Sequence, residues 1–245
     1  MVRRYAVVAL LAAAATGAVA SAQQGFMPAS FQSGPIPDVS PNSISAGGGQ
    51  VLIEVTVASD GSVIGSRPLR TTPFFTERIQ STSSGWRFAP AEAMIEPRDR
   101  RPGGPLTHPI ESKVLVAGVF RPPQMFGASM GDTITDVGNP SDEIPFPLTV
   151  IEPTYPVNSV GVGVVLVEAR VNTSGAVIGA AVKLSSPGFD AVALNAAKQW
   201  QFRPARVGGA FVPSLAYIVF TFSVPMTYFP PKGAPPGTPS IPPGN

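Results

Sequence analysis

Trp200-Gln201-Phe202-Arg203-Pro204-Ala205 closes a segment, Gly163 to Val224, whose pattern decides the fold. Upstream of it, Val164 to Val171 is nearly continuous apolar sequence, interrupted at Glu168 and Arg170. Asn172-Thr173-Ser174-Gly175 breaks the run, and a second apolar run follows from Ala176 to Leu184. Two β-rich runs joined by a short polar segment ending in glycine predict a hairpin. Ser185-Ser186-Pro187-Gly188, with Asp190 in the following turn, carries the residues that start helices. Phe189, Val192, Ala193, Ala196, Ala197 and Trp200 then recur at the three-and-four spacing of one helical face. Pro204 stops that helix, and Pro213 opens a last strand from Leu215 to Val224. The order is strand, strand, helix, strand.

Residues 51–91 laid on 165–205 without a gap give a repeat at a spacing of 114, with 14 identities in 41 positions. Gly61 matches Gly175, and Trp86, Phe88, Pro90 and Ala91 match Trp200, Phe202, Pro204 and Ala205. Two unrelated apolar runs would not keep a turn glycine and a Trp-x-Phe-x-Pro-Ala frame in one register, so the module occurs twice. In the first copy, strands are expected over Gln50–Ala58, Ser62–Leu69 and Ile110–Phe120, with a helix from Phe74 to Trp86. That helix carries Ser81-Thr82-Ser83-Ser84-Gly85, which are poor helix formers. A long charged loop, Glu92 to His108, separates it from the last strand.

The order of elements and these residues resemble the C-terminal domain of TonB-family proteins. The matching pieces are Pro153-Thr154-Tyr155-Pro156 ahead of the first strand, the hairpin Gly175, Ser185-Ser186 before the helix, Ala193-Leu194 within it, and the Trp200–Ala205 closure. The resemblance implies an α+β fold: two modules, each with one helix packed on a small antiparallel sheet. It also implies a non-enzymatic role, in which the last strand pairs with a segment of an outer-membrane TonB-dependent receptor. On this chain that strand is Leu215, Ala216, Tyr217, Ile218, Val219, Phe220, Thr221 and Phe222. In a three-stranded sheet centred on the first strand it lies at an edge, with unpaired N–H and C=O groups. Both its faces are apolar, so coverage by the other copy, by a homodimer mate or by the tail is the competing expectation.

Composition and ends bound the rest. Residues 1–22 read as a signal peptide: Arg3-Arg4, the apolar Ala6–Ala15, then Ala20-Ser21-Ala22 before Gln23. The ten-residue apolar segment falls short of the ~20 residues a membrane span needs, so a periplasmic protein is expected. The alternatives are an energy transducer anchored in the inner membrane by an uncleaved helix, and a structural envelope scaffold. Residues 23–48 read as an extended lead-in, 49–123 as the diverged module and 124–152 as a linker with an acidic middle (Asp132, Asp136, Asp142, Glu143). The closer module follows at 153–225, and 226–245 is a proline-rich disordered tail. Without Arg3 and Arg4 the charge is balanced at 15 basic and 15 acidic residues, which gives nucleic acid no electrostatic purchase.

No catalytic, metal or cofactor constellation is legible. There is no cysteine, and the single His108 lies in the loop of the diverged copy, followed by Pro109. Trp86 and Trp200 end apolar helical faces and are expected in the core. Tyr155 and Pro156 are expected to shape the approach to the first strand.

Overall fold

The computed structural model describes residues 25–38, 48–120, 132–133 and 138–224; the leader, the middle of the linker and the tail lie outside the described residues. The first half contains β1 (Phe26–Met27), β2 (Ser30–Ser33), β3 (Gly49–Val57), β4 (Val63–Arg70) and α1 (Phe75–Ser84). It continues with β5 (Arg87–Ala89), β6 (Ala91–Met94), β7 (Thr107–Ile110) and β8 (Ser112–Phe120). The second half contains β9 (Asp132–Thr133), β10 (Phe146–Val150), β11 (Gly163–Val171), β12 (Val177–Leu184) and α2 (Asp190–Ala197). It ends with β13 (Gln201–Arg203), β14 (Arg206–Val207), β15 (Ala210–Phe211) and β16 (Ser214–Phe222). The fold is mixed and mostly strand, with two helices, as the α+β reading requires.

One six-stranded sheet, in the order β12-β11-β16-β8-β3-β4, runs through both halves. Every pairing within it is antiparallel except the central β16–β8 seam, which is parallel from Ala216↔Leu115 to Thr221↔Phe120. The odd residues Val51, Ile53, Val55 and Val57 of β3 pack with α1, while Val165, Val167, Ala169 and Val171 of β11 pack with α2. These are two separate cores, so the helices cover opposite faces of the sheet. The apolar runs seen in the sequence are long because the inner strands are buried on both faces.

What covers the rest of each face is the segment upstream of each half. Phe31 and Ala29 of the N-terminal stretch lie in the α1-side core against Leu166, Tyr217 and Val219 of the second half. Ile144, Phe146 and Val150 lie in the α2-side core against Leu52, Leu115 and Val119 of the first half. The sequence reading made 23–48 an extended lead-in and 124–152 a linker. Within the described residues, both instead contribute strands and buried side chains: β2 pairs with β5, and β10 with β13. The stretch around Phe31 carries no periodicity, whereas Ile144, Phe146, Leu148 and Val150 alternate as a strand does, a signal masked by the intervening Pro145 and Pro147.

The matched positions make matching contacts. Gly61 (φ 82°) and Gly175 (φ 87°) sit at the two hairpin tips, in a region of backbone space open to glycine. Each carbonyl accepts the N–H of Phe88 or Phe202 respectively at 2.9 Å, and a Cβ on either glycine would collide with the phenylalanine's own carbonyl oxygen. This contact is the physical reason that glycine and the Trp-x-Phe-x-Pro-Ala frame keep one spacing. Trp86 and Trp200 are buried as expected, and their indole N–H groups donate to the Pro35 and Ile151 carbonyls at 2.9 and 3.0 Å. Pro90 and Pro204 are half-buried and follow β5 and β13 directly.

Two expectations for the first half are corrected. Its helix begins at Phe75, not Phe74, because Phe74 is the turn residue before it, at φ 68°. The matched position in the second half is Gly188, at φ 92°. The stretch from Glu92 to His108 is not simply a loop: β6 and β7 pair within it, and β1 adds to β6 as a third strand. His108 is exposed on β7.

Candidate docking edges

The strand expected to receive a partner is not at an edge. β16 is hydrogen-bonded to β11 on one side and β8 on the other, and all nine of its residues are buried. Leu215, Tyr217 and Val219 enter the α1-side core, and Ala216, Ile218, Phe220 and Phe222 the α2-side core. Thr221 is also buried, donating from Oγ1 to the Val119 carbonyl at 3.2 Å. The edge assignment for residues 215–222 is therefore corrected. The signal against it was in the sequence: a strand with one solvated face alternates, and this one is apolar on both.

Tyr217 fixes how the halves interlock. Its hydroxyl accepts the Phe31 N–H at 2.9 Å and faces the Ala29 carbonyl at 3.0 Å and Glu168 Oε2 at 3.2 Å. Glu168 is also 3.5 Å from Lys183 Nζ. On the opposite face, the matched Glu54 accepts the Ser141 N–H at 2.9 Å and pairs with Arg67 at 2.9 Å. Each acid thus stands on the sheet face turned away from its own helix: Glu54 holds Ser141 directly, and Glu168 holds the Tyr217 hydroxyl that in turn bonds Phe31 and Ala29.

Burial, and secondarily the Glu168 charge, push the Tyr217 hydroxyl far above the ordinary phenol range. Below about pH 10 the phenol is protonated both folded and unfolded, so it gives no pH slope there. Above that pH only the unfolded chain releases the proton, so stability falls by about 1.4 kcal/mol per pH unit. Tyr217→Phe is expected to remove this alkaline slope. At neutral pH it costs about 1–3 kcal/mol, because it leaves the Phe31 N–H and its neighbours unpaired. Urea melts of both proteins at pH 8 and above pH 10 check both statements; equal alkaline slopes would refute the assignment.

The outer edges of the sheet are β4 and β12. They differ. β4 carries Arg67, Pro68 and Arg70, and the Gly138 N–H donates to its Leu69 carbonyl at 2.8 Å. Charge, proline and a covering segment are the devices that blunt a sheet edge. β12 reads Val177-Ile178-Gly179-Ala180-Ala181-Val182-Lys183-Leu184, without proline, and its one charge is held by Glu168. Ala176 bridges to Gln201 at its start, and the ladder with β11 shifts register between Arg170 and Val171 and between Leu166 and Val167. Between those shifts, Gly179 to Val182 pair regularly with β11, and no strand among the described residues takes their other side.

Tyr155 and Pro156 lie where expected, ahead of β11. The Tyr155 hydroxyl donates to the Gly161 carbonyl at 2.9 Å, and its ring meets Phe189 edge-on with centroids 5.6 Å apart. Both residues are half-buried, which fits shaping the turn into β11.

Residues 152–224 match the family described as Gram-negative bacterial TonB protein C-terminal. This stretch is a TonB C-terminal domain. The match covers β11, β12, α2 and β16, and ends two residues beyond the last strand. No curated protein and no solved structure matches the chain. TonB C-terminal domains are protein-interaction modules of envelope transport rather than enzymes, and they contact envelope proteins such as outer-membrane receptors. TonB-family proteins sit in the periplasm or in the inner membrane facing it. Among the described residues no helix is long and apolar enough to cross a membrane, and no cluster of His, Asp or Glu has the makings of a metal site.

Proposed function

We propose that this chain is an exported, non-enzymatic interaction protein of the cell envelope, made of two fused TonB C-terminal-like modules. It holds partner proteins of the outer-membrane transport system by adding their extended segments to its sheet. The parallel β8–β16 seam carries this reading, because it joins two units of the same element order and the same bulge positions into one sheet. The strand through which the family engages receptors is already occupied, so docking falls to another edge. The seam also favours a second reading, a structural envelope scaffold, since it spends the family's docking strand on internal stability. Energy transduction from an uncleaved N-terminal anchor is the third.

Capture of the tagged full-length protein from its native envelope, after cross-linking, separates the three. Recovery of an outer-membrane receptor supports the proposal, and recovery of other envelope components alone supports the scaffold. A mature N-terminus at Gln23 fits export, whereas Met1 retained in the membrane fits the transducer.

A further inference from the structure

Arg170 on β11 stands opposite Gly179 on β12. Its guanidinium lies over the glycine: a Cβ there would be 3.2 Å from one terminal nitrogen and 3.3 Å from Nε. Arg170 is exposed and has no carboxylate partner among the described residues. At the matched place in the first half the pair is Thr56 and Gly65, and nothing lies within 4 Å of the same point. Only at the β12 end, then, does a cation reach across a residue without a side chain toward the open edge.

We propose that the β12 edge, at Gly179 to Val182, docks a short extended peptide segment that carries an acidic residue on the Arg170 side. The inference rests on the envelope-interaction reading and names the site and the partner's chemistry. Backbone N–H and C=O groups pointing away from β11 are satisfied by another strand, as in strand addition elsewhere. Neighbouring strands are about 4.8 Å apart, so an incoming Asp or Glu opposite Gly179 lies about 10 Å from the Arg170 backbone. Side chains of that length meet across the gap, and the absent Gly179 side chain leaves the path open. On the other face, Ala180 and Val182 pack against the α2-side core and offer an apolar border to alternate residues of the incomer. The regular stretch is four residues long, bounded by the register shifts, which suits a short peptide.

The test uses the full chain and a blocked hexapeptide, Thr-Val-Asp-Val-Thr-Val, beside its Asp-to-Lys counterpart. The Asp peptide is expected to protect amides within 177–184 from exchange and leave 214–222 unchanged, with no increase in the protein's mass. Arg170→Glu, at an exposed position, should weaken the Asp peptide about tenfold and reverse the preference between the two. Equal binding of both peptides to the unaltered protein overturns the proposal. So does protection at 214–222, which would mean the central seam opens, or a doubling of mass with protection of 177–184 in the absence of peptide. Envelope partners captured equally by the unaltered protein and Arg170→Glu refute this edge while leaving the envelope reading standing. Failure to capture any envelope partner removes the envelope reading itself.

Discussion

Residues 138–224 produced alone are expected to show no cooperative thermal transition as a monomer. They contain the whole matched domain, but without the first half β16 loses β8 along one side. Leu166, Leu215, Tyr217 and Val219 also lose the layer that holds Ala29, Phe31 and Phe88. Exposing four large apolar side chains forfeits on the order of 8 kcal/mol, about as much as the net stability of a typical domain. The isolated half should therefore aggregate, or associate through its bare β16. Circular dichroism melts combined with sedimentation check this. A monomer with a sharp transition would show that the shared faces contribute little and that the two halves are merely adjacent.

Trp200→Ala is expected to destabilise the full chain by about 3–5 kcal/mol, which lowers the melting temperature by roughly 10 °C. The indole is 1% exposed, meets Phe220 edge-on at 6.1 Å, and donates to the Ile151 carbonyl. Removing it opens a cavity under α2 and frees the strap that contains β10. Trp200→Phe keeps most of the volume but not the donor, so its loss relative to the unaltered protein measures the strap contact, and the further loss in Trp200→Ala measures the cavity. Trp86→Ala should cost a similar amount, because Trp86 holds Pro35 in the same way in a separate core. Denaturant melts of the three variants give the values. A loss below about 1 kcal/mol for Trp200→Ala would mean that the helix is not anchored there.

In the second half, the β11–β12 hairpin, α2 and β16 were legible to within a few residues. Hairpin, helix and last strand fall where the apolar spacing, Gly175 and Pro204 place them, because each signal is local: period, turn conformation and a missing N–H. The first-half helix was legible in existence but not in its start. Only the left-handed backbone at Phe74, where the second half has Gly188, moves the boundary. The strap segments were harder to read. Phe31 sits in a stretch without a period, and the alternation of Ile144, Phe146, Leu148 and Val150 is broken up by two prolines. The burial of both straps depends on strands of the opposite half.

The candidate site divides in the same way. That Leu215–Phe222 forms a strand was readable. Its neighbour was not, since hydrogen-bonding capacity along a strand carries no label for what fills it. The apolar content of both its faces said that something covers it; the parallel seam with β8 says what. The exposed cation over Gly179 was equally hidden, because Arg170 and Gly179 are ordinary residues until the β11–β12 register sets them side by side.

By itself, then, the sequence determined the two sets of strands and helices, the turn glycines and the buried tryptophans, all of which follow from forces acting within a few residues. Only the tertiary structure decided that the two halves share one sheet, that their helices lie on opposite faces, and that β12 rather than β16 is an outer strand among the described residues. Those outcomes depend on which of several similar apolar surfaces bury each other, and that choice is made by the shape and register of the whole assembly, not by any one stretch of it.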